Sequence, residues 1–213
     1  MPDASEAEPT VRDARDRFFR ENEFGLDGGY DASWAEAEFG PVRYRVPNLR
    51  ARAAALRVHD LHHLVTGYAT DWRGESEISA WELGSGWGRY PYAWIIALFG
   101  LFTGLVTQPG ATWRAFLRGR KSDNLFRARA LGDVLEQPLA SVRRGLGVPA
   151  RGTALLVQSR DVVAFIATSL LSLSFAIPAV PVALGLVGLS QADKAYTWAT
   201  APTPCPLAGL CHS

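Results

Sequence analysis

From Val162 to Ala192 the chain carries no charged side chain, and nothing else in it restricts folding so strongly. A helical membrane span needs roughly 20 predominantly apolar residues, so the run is long enough to make one. Pro178 and Pro181 interrupt it and leave two membrane geometries open. In one, a single kinked helix crosses the bilayer and the backbone groups freed by proline are re-satisfied locally. In the other, a re-entrant hairpin bends at the two prolines. A third arrangement needs no lipid, a hydrophobic helix pair covering the domain's own core. Arg143, Arg144, Arg151 and Arg160 precede the run, and the positive-inside tendency assigns their side to the cytoplasm. A single crossing then puts Cys205 and Cys211 outside, where a disulfide is permitted. A hairpin keeps them reduced, and two unpaired cysteines in a loose tail are equally compatible.

The remainder reads as an all-α, compact helical domain. Residues 1–10 are expected to form a disordered leader, 11–149 the folded domain, and 150–213 a hydrophobic tail that spans or re-enters the membrane. The opening "MPDASEAEPT" is acidic, unlike a signal peptide, so the main domain is expected on the cytoplasmic side. Abundant alanine and a preference for arginine over lysine suggest a bacterial source and hence a bacterial cytoplasmic membrane. A formal net charge of +1 leaves no electrostatic footprint for nucleic acid.

Along the chain, "VRDARDRFFRENEFG" predicts a short helix with Phe18 and Phe19 inward, followed by the Gly-rich turn "GLDGGYDASW". "FGPVRYRVP" predicts a brief extended segment. A long helix is expected from near Asn48 to Gly67, a natural stop. Glu75 opens a second helix, "ESEISAWELG", with Thr70 and Asp71 as candidate caps. "YPYAWIIALFGLFTGLVTQP" is uncharged but holds Gly100 and Gly104, and is read as a buried core helix rather than a span. Arg118, Arg120 and Lys121 form a basic cluster, read as a solvated turn or a face for anionic lipid.

Three of the four histidines fall in "HDLHHLVTGYATDWRGE". With His59 at the origin of a helical wheel, His63 lies at about 40° and Asp60 at about 100°. They continue a stripe begun by Leu49, Ala53 and Leu56, while Ala54, Val58, Leu61 and Val65 make the opposite face apolar as well. Polar groups thus occupy a helix covered on both sides, where an unpaired carboxylate costs several kcal/mol. A divalent cation resolves the conflict by taking neutral imidazoles and ionised carboxylates as ligands. His59 and His63, four residues apart, can share one ion, Asp60 can join them or orient a ligand, and Glu75 can close the site at the helix–helix corner. Nitrogen and oxygen donors suit Zn2+, with Mn2+ or Fe2+ as alternatives. His62, at about 300°, lines the pocket without a ligand role. Membrane di-iron oxygenases with H-x-x-H-H boxes need several such boxes, and phosphohydrolases with a histidine–aspartate pair need an upstream histidine. Neither is present, nor is H-E-x-x-H, G-x-S-x-G or a Gly-rich phosphate loop.

His59-Asp60-x-x-His63, eleven residues, then Glu75 resembles the H-D-x-x-H-x(11)-E signature of the coenzyme Q biosynthesis protein 4 family. The similarity extends to "HDLHHLVTGYATDWRGE", "RGRKSDNL" and "LEQPLASVRRGLGVP", roughly residues 15–149. It departs at Ser79, where the family carries a lysine, and in the apolar tail. The resemblance implies an all-helical protein with His59, Asp60, His63 and Glu75 as metal ligands, zinc most often. It implies work on polyprenylated aromatic rings in ubiquinone biosynthesis, as a lyase performing oxidative decarboxylation at ring carbon one of a hydroxybenzoate precursor. Arg57 matches a basic position and is the candidate contact for the substrate carboxylate. Trp94 to Val106 is a candidate floor for the prenyl chain. The competing expectation is a non-catalytic lipid-binding scaffold that organises other quinone-biosynthesis enzymes at the membrane, with self-association also open.

Overall fold

The structure, a computed structural model, describes residues 8–200 other than 26, 40, 41, 87, 129 and 130. The architecture is helical, with eight α-helices among the described residues and one β-hairpin. Helix α1 (Val11–Glu21) starts at a capping box, in which Thr10 Oγ accepts from the Asp13 amide and the Asp13 carboxylate accepts from the Thr10 amide. Residues 1–7 of the expected leader lie outside the described residues. Pro9 and Thr10 are tied down, since the Leu139 amide donates to Pro9 O at 3.1 Å and Thr10 bridges Pro138. The expected extended segment is an antiparallel hairpin of β1 (Trp34–Phe39) and β2 (Val42–Pro47), with Trp34 opposite Pro47 and Phe39 opposite Val42.

Helix α2 (Arg50–Thr66) ends where Gly67 turns left-handed at φ 74°, a conformation that a side chain disfavours. Ala55, Val58, Leu61 and Val65 of α2 join Val11, Ala93, Leu125, Phe126 and Val142 in one core. Burying each valine or leucine fully stabilises the fold by about 1.5–3 kcal/mol, which fixes the rotation of α2 and hence the direction its histidines face.

Helix α3 (Trp72–Ser85) begins three residues before the expected start, because the Asp71 carboxylate accepts from the Gly74 amide. Thr70, the other candidate cap, donates instead to Asn22 Oδ1 at 2.6 Å. Helices α4 (Pro91–Thr107) and α5 (Pro109–Gly119) enclose α3. Their approach is set by small residues. A Cβ on Gly84 would stand 2.2 Å from Phe116 O, one on Gly119 2.2 Å from Trp81 O, and one on Gly100 2.0 Å from Ser79 Oγ. Ser79 is thus closed off by α4, with no room for the lysine of the resembling family. Helix α4 is a core helix on one face only, with Ala97, Leu98 and Leu101 buried and Trp94, Ile95 and Val106 exposed.

A 3-10 turn (Leu125–Arg127) and short helices α6 (Leu131–Leu135) and α7 (Leu139–Gly145) lead to α8 (Ser159–Thr200). The chain divides into two units, Met1–Leu173 and Ser174–Ser213, so the first turns of α8 belong with the helical domain. Phe165 packs edge-on to Trp113 and Phe116 at 4.9 and 5.1 Å, and Ser172 Oγ donates to Leu98 O at 2.7 Å. Buried Asp161 accepts from Lys121 Nζ at 2.9 Å and Arg120 Nε at 3.2 Å. Arg118 donates to Thr66 O and Pro149 O. Arg120 and Lys121 thus form the expected turn, with Arg120 exposed and Lys121 half-buried and both holding Asp161, while Arg118 is buried and ties two carbonyls together. Ser159–Pro178 is long and apolar enough to cross a membrane, with a mean hydropathy of 1.8 and 22% of it buried. Cys205 and Cys211 lie outside the described residues.

Candidate metal centre

Helix α2 aims His59 and His63 at the first turn of α3. The loop between the helices turns sharply because Gly74 lies against the Ala69 backbone, where a Cβ would stand 2.1 Å from the carbonyl oxygen. This draws Glu75 beneath the two imidazoles. Each carboxylate oxygen faces one ring, with Oε2 3.2 Å from His59 Nε2 and Oε1 3.2 Å from His63 Nε2. The two Nε2 atoms are 3.3 Å apart. One donor atom from each of His59, His63 and Glu75 lies within 4.8 Å of the others, and the group could hold a metal ion.

The opposite nitrogen of each ring shows which tautomer is present. His63 Nδ1 faces Tyr68 O at 3.0 Å, and a carbonyl only accepts, so Nδ1 carries the proton. His59 Nδ1 faces Glu82 Oε1 at 2.9 Å and donates in the same way. With neutral rings both Nε2 atoms present lone pairs toward Glu75 and one another, an arrangement that a cation between them would satisfy. Two nitrogens on a tetrahedral zinc, each about 2.0–2.1 Å from it, stand roughly 3.3–3.4 Å apart. The observed spacing fits that donor set.

The electrostatics agree. With no ion bound, burial alone would raise Glu75, but the facing His59 and His63 rings outweigh it and bring its pKa to about 2. Burial would likewise raise Glu82, yet the charge and hydrogen bond of His59, with that of His62, bring it to about 2. Burial opposes charge on His59, but Glu82 and Glu75 together raise its pKa well above the usual imidazole value. With no ion bound, a proton on His59 thus partly offsets the two ionised carboxylates, and a divalent cation could take that proton's place.

The surroundings are built with equal care. Phe18 stacks on His63 with ring centres 5.8 Å apart. Arg118 and Arg151 both lie over the Tyr68 ring, at 5.2 and 5.0 Å, and donate to Thr66 O and Gly67 O. They grip the short loop whose carbonyl orients His63. The histidines are enclosed, while the Glu75 side chain is 40% exposed, so the centre opens on its carboxylate side.

Asp60 does not join the three clustered donors. It accepts a short hydrogen bond from the Tyr30 hydroxyl. Burial raises the Asp60 pKa, offset in part by His59 and by Tyr30, and burial with the nearby Asp60 charge raises Tyr30. The phenol therefore stays protonated and donates. Arg57 pairs with Asp31 at 3.1 Å and lies over the Tyr30 ring at 5.1 Å, one step behind Asp60 rather than at the cluster. Glu82, Tyr30 and the Tyr68 carbonyl were missed by sequence reasoning. Only Glu82 left a signal, since Glu75 and Glu82 are seven residues apart and share a helix face.

Comparisons of the chain with protein-family models, with curated proteins and with solved structures return no match.

Proposed function

We propose that this protein is a metal-dependent enzyme of prenylated quinone synthesis, acting at a membrane on a polyprenylated hydroxybenzoate. The observation that carries the reading is the His59–His63–Glu75 cluster, a three-donor set with one open side. Structural zinc sites close with four protein ligands, whereas catalytic ones keep a position free. Nitrogen and oxygen donors of this kind suit Zn2+, with Mn2+ and Fe2+ as alternatives. The motif's resemblance to the coenzyme Q biosynthesis protein 4 family supplies the substrate class.

When bound, the ion would act as a Lewis acid that stabilises the negative charge left at ring carbon one as its carboxylate leaves as carbon dioxide. The freed electron pair is taken by a proton from water or, in the oxidative reaction, by added dioxygen with a two-electron reductant, which puts a hydroxyl there. The chain's own groups do the rest. His59 and His63 hold their nitrogens fixed through Glu82 and the Tyr68 carbonyl. Glu75 borders the entrance. Arg57, half exposed, would exchange Asp31 for the substrate carboxylate. The exposed apolar side chains Trp94 and Ile95 of α4 and Val163 and Ile166 of α8 would offer apolar contacts to the prenyl chain and the lipid surface.

The test is the purified full chain with a prenylated hydroxybenzoate labelled at its carboxyl carbon. Labelled carbon dioxide, lost in His63→Ala, is the expected result. Zinc and substrate bound with no carbon dioxide released would favour the non-catalytic lipid-binding scaffold, a reading that the same exposed apolar side chains support.

A further inference from the structure

His62 has no part in the chemistry described so far, and Glu82 enters it only as the partner of His59 Nδ1, yet both are almost fully buried. A carboxylate and an imidazole enclosed in a helical core need a compensating role, because each loses solvation there. Their hydrogen bonds form a directed chain. The Leu125 amide donates to His62 Nε2 at 3.0 Å, so that nitrogen carries no proton and His62 is neutral. His62 Nδ1 then bears the hydrogen and donates to Glu82 Oε1 at 2.7 Å. The same oxygen accepts from His59 Nδ1 at 2.9 Å. Trp81 and Phe126 meet the His62 ring edge-on at 5.1 and 4.7 Å and hold its plane.

We propose that Glu82 is the positioning residue of the metal centre: held by His62, it keeps the His59 proton on Nδ1 and turns the Nε2 lone pair toward Glu75 and His63. This rests on the metal reading above and deepens it. A backbone amide in the 3-10 turn thereby selects the tautomer of a ligand, through one imidazole and one carboxylate. The middle histidine of "HDLHH", His62, orients the site without ligating. An acceptor-only carboxylate suits the task. It cannot donate, so it cannot stabilise the wrong tautomer, and its charge makes the neighbouring imidazole a stronger donor to a cation.

The test uses the full chain labelled with 15N at histidine, metal-free and loaded with Zn2+. Protonated Nδ1 on both His59 and His62 is expected in both states, with Zn2+ shifting Nε2 of His59 and leaving Nε2 of His62 in place. Glu82→Leu would strand two buried N–H groups and endanger folding, so Glu82→Gln carries the affinity measurement. It should weaken Zn2+ binding about 10-fold to 100-fold with the helical fold intact. A bare Nδ1 on His59, or a Glu82→Gln chain that binds Zn2+ as tightly as the parent, overturns the proposal. A parent chain that takes up no Zn2+ while both Nδ1 protons persist overturns the metal reading and with it this role, leaving only that Glu82 fixes the His59 tautomer.

Discussion

Glu75 is the ligand whose removal should harm the fold least, since its side chain is 40% exposed while that of His63 is 2% exposed. If the proposed centre is loaded, Glu75→Ala is expected to strip most of the metal from the purified chain, by elemental analysis, and to leave its circular dichroism unchanged. Equal metal in variant and parent would remove Glu75 from the site. Tyr30 has the opposite profile. Tyr30→Phe takes the hydroxyl from a buried carboxylate, and a stranded buried acceptor costs about 1–3 kcal/mol, more when charged. The urea midpoint should fall accordingly, and an unchanged midpoint would mean that Asp60 finds another donor. At this scale the sequence shows what spacing can show. His59 and His63 are one helical turn apart, and Glu75 opens the next helix. Asp60 has the right spacing too, but a wheel cannot register Tyr30, which arrives from a Gly-rich turn thirty positions earlier. Glu82 left only its seven-residue spacing from Glu75, because a glutamate in a helix reads as solvated unless the helix is known to be enclosed.

Helix α3 is enclosed because glycines let its neighbours touch its backbone, and that dependence can be measured. Gly119→Ala would put a methyl group 2.2 Å from Trp81 O, so α3 and α5 must separate. Overpacking of this kind costs about 1–3 kcal/mol or more. Since α3 carries both Glu75 and Glu82, zinc affinity should fall together with stability. Gly132→Ala, in α6, meets nothing within 4 Å, and should raise stability by about 0.4–1 kcal/mol through the unfolded chain. Thermal melts of the two variants should move in opposite directions. If both melts fall, the tight contact at Gly119 is not what distinguishes them. The helices themselves were legible from apolar spacing and stop signals, as at Gly67. The start of α3 was misplaced because Asp71 caps it ahead of Trp72, and the extent of the hairpin back to Trp34 depends on strand pairing that no local pattern encodes. The enclosure of α3 was illegible for the same reason. Serines and glycines at "ESEISAWELG" read as weak helix formers until other helices are placed against them.

For the molecule as a whole, the question is where the helical domain ends and what its apolar helix does. Composition places a boundary at Pro149, where charge thins out, but composition cannot tell an apolar helix that leaves the domain from one that lies along it. The contacts of Asp161, Phe165 and Ser172 hold the first turns of α8 on α4 and α5. Truncation after Pro149 should therefore uncover Trp113 and Phe116 and leave Lys121 without its partner, lowering stability and recovery. Truncation after Leu173 should leave a folded chain that retains zinc. A Pro149 product as stable as the Leu173 product would return the whole apolar segment to the tail. These contacts bear on the membrane as well. For Ser159–Pro178 to cross a bilayer, the Asp161 carboxylate would have to leave Lys121 and Arg120 and enter or border lipid, at a cost of several kcal/mol. Lying in the interface instead keeps that ion cluster and buries the outward Val163, Ile166 and Leu170, an arrangement open to a helix with one apolar face. The full chain should float with anionic vesicles and come off them in alkaline carbonate. Resistance to that extraction would show that α8 leaves the domain to span the bilayer.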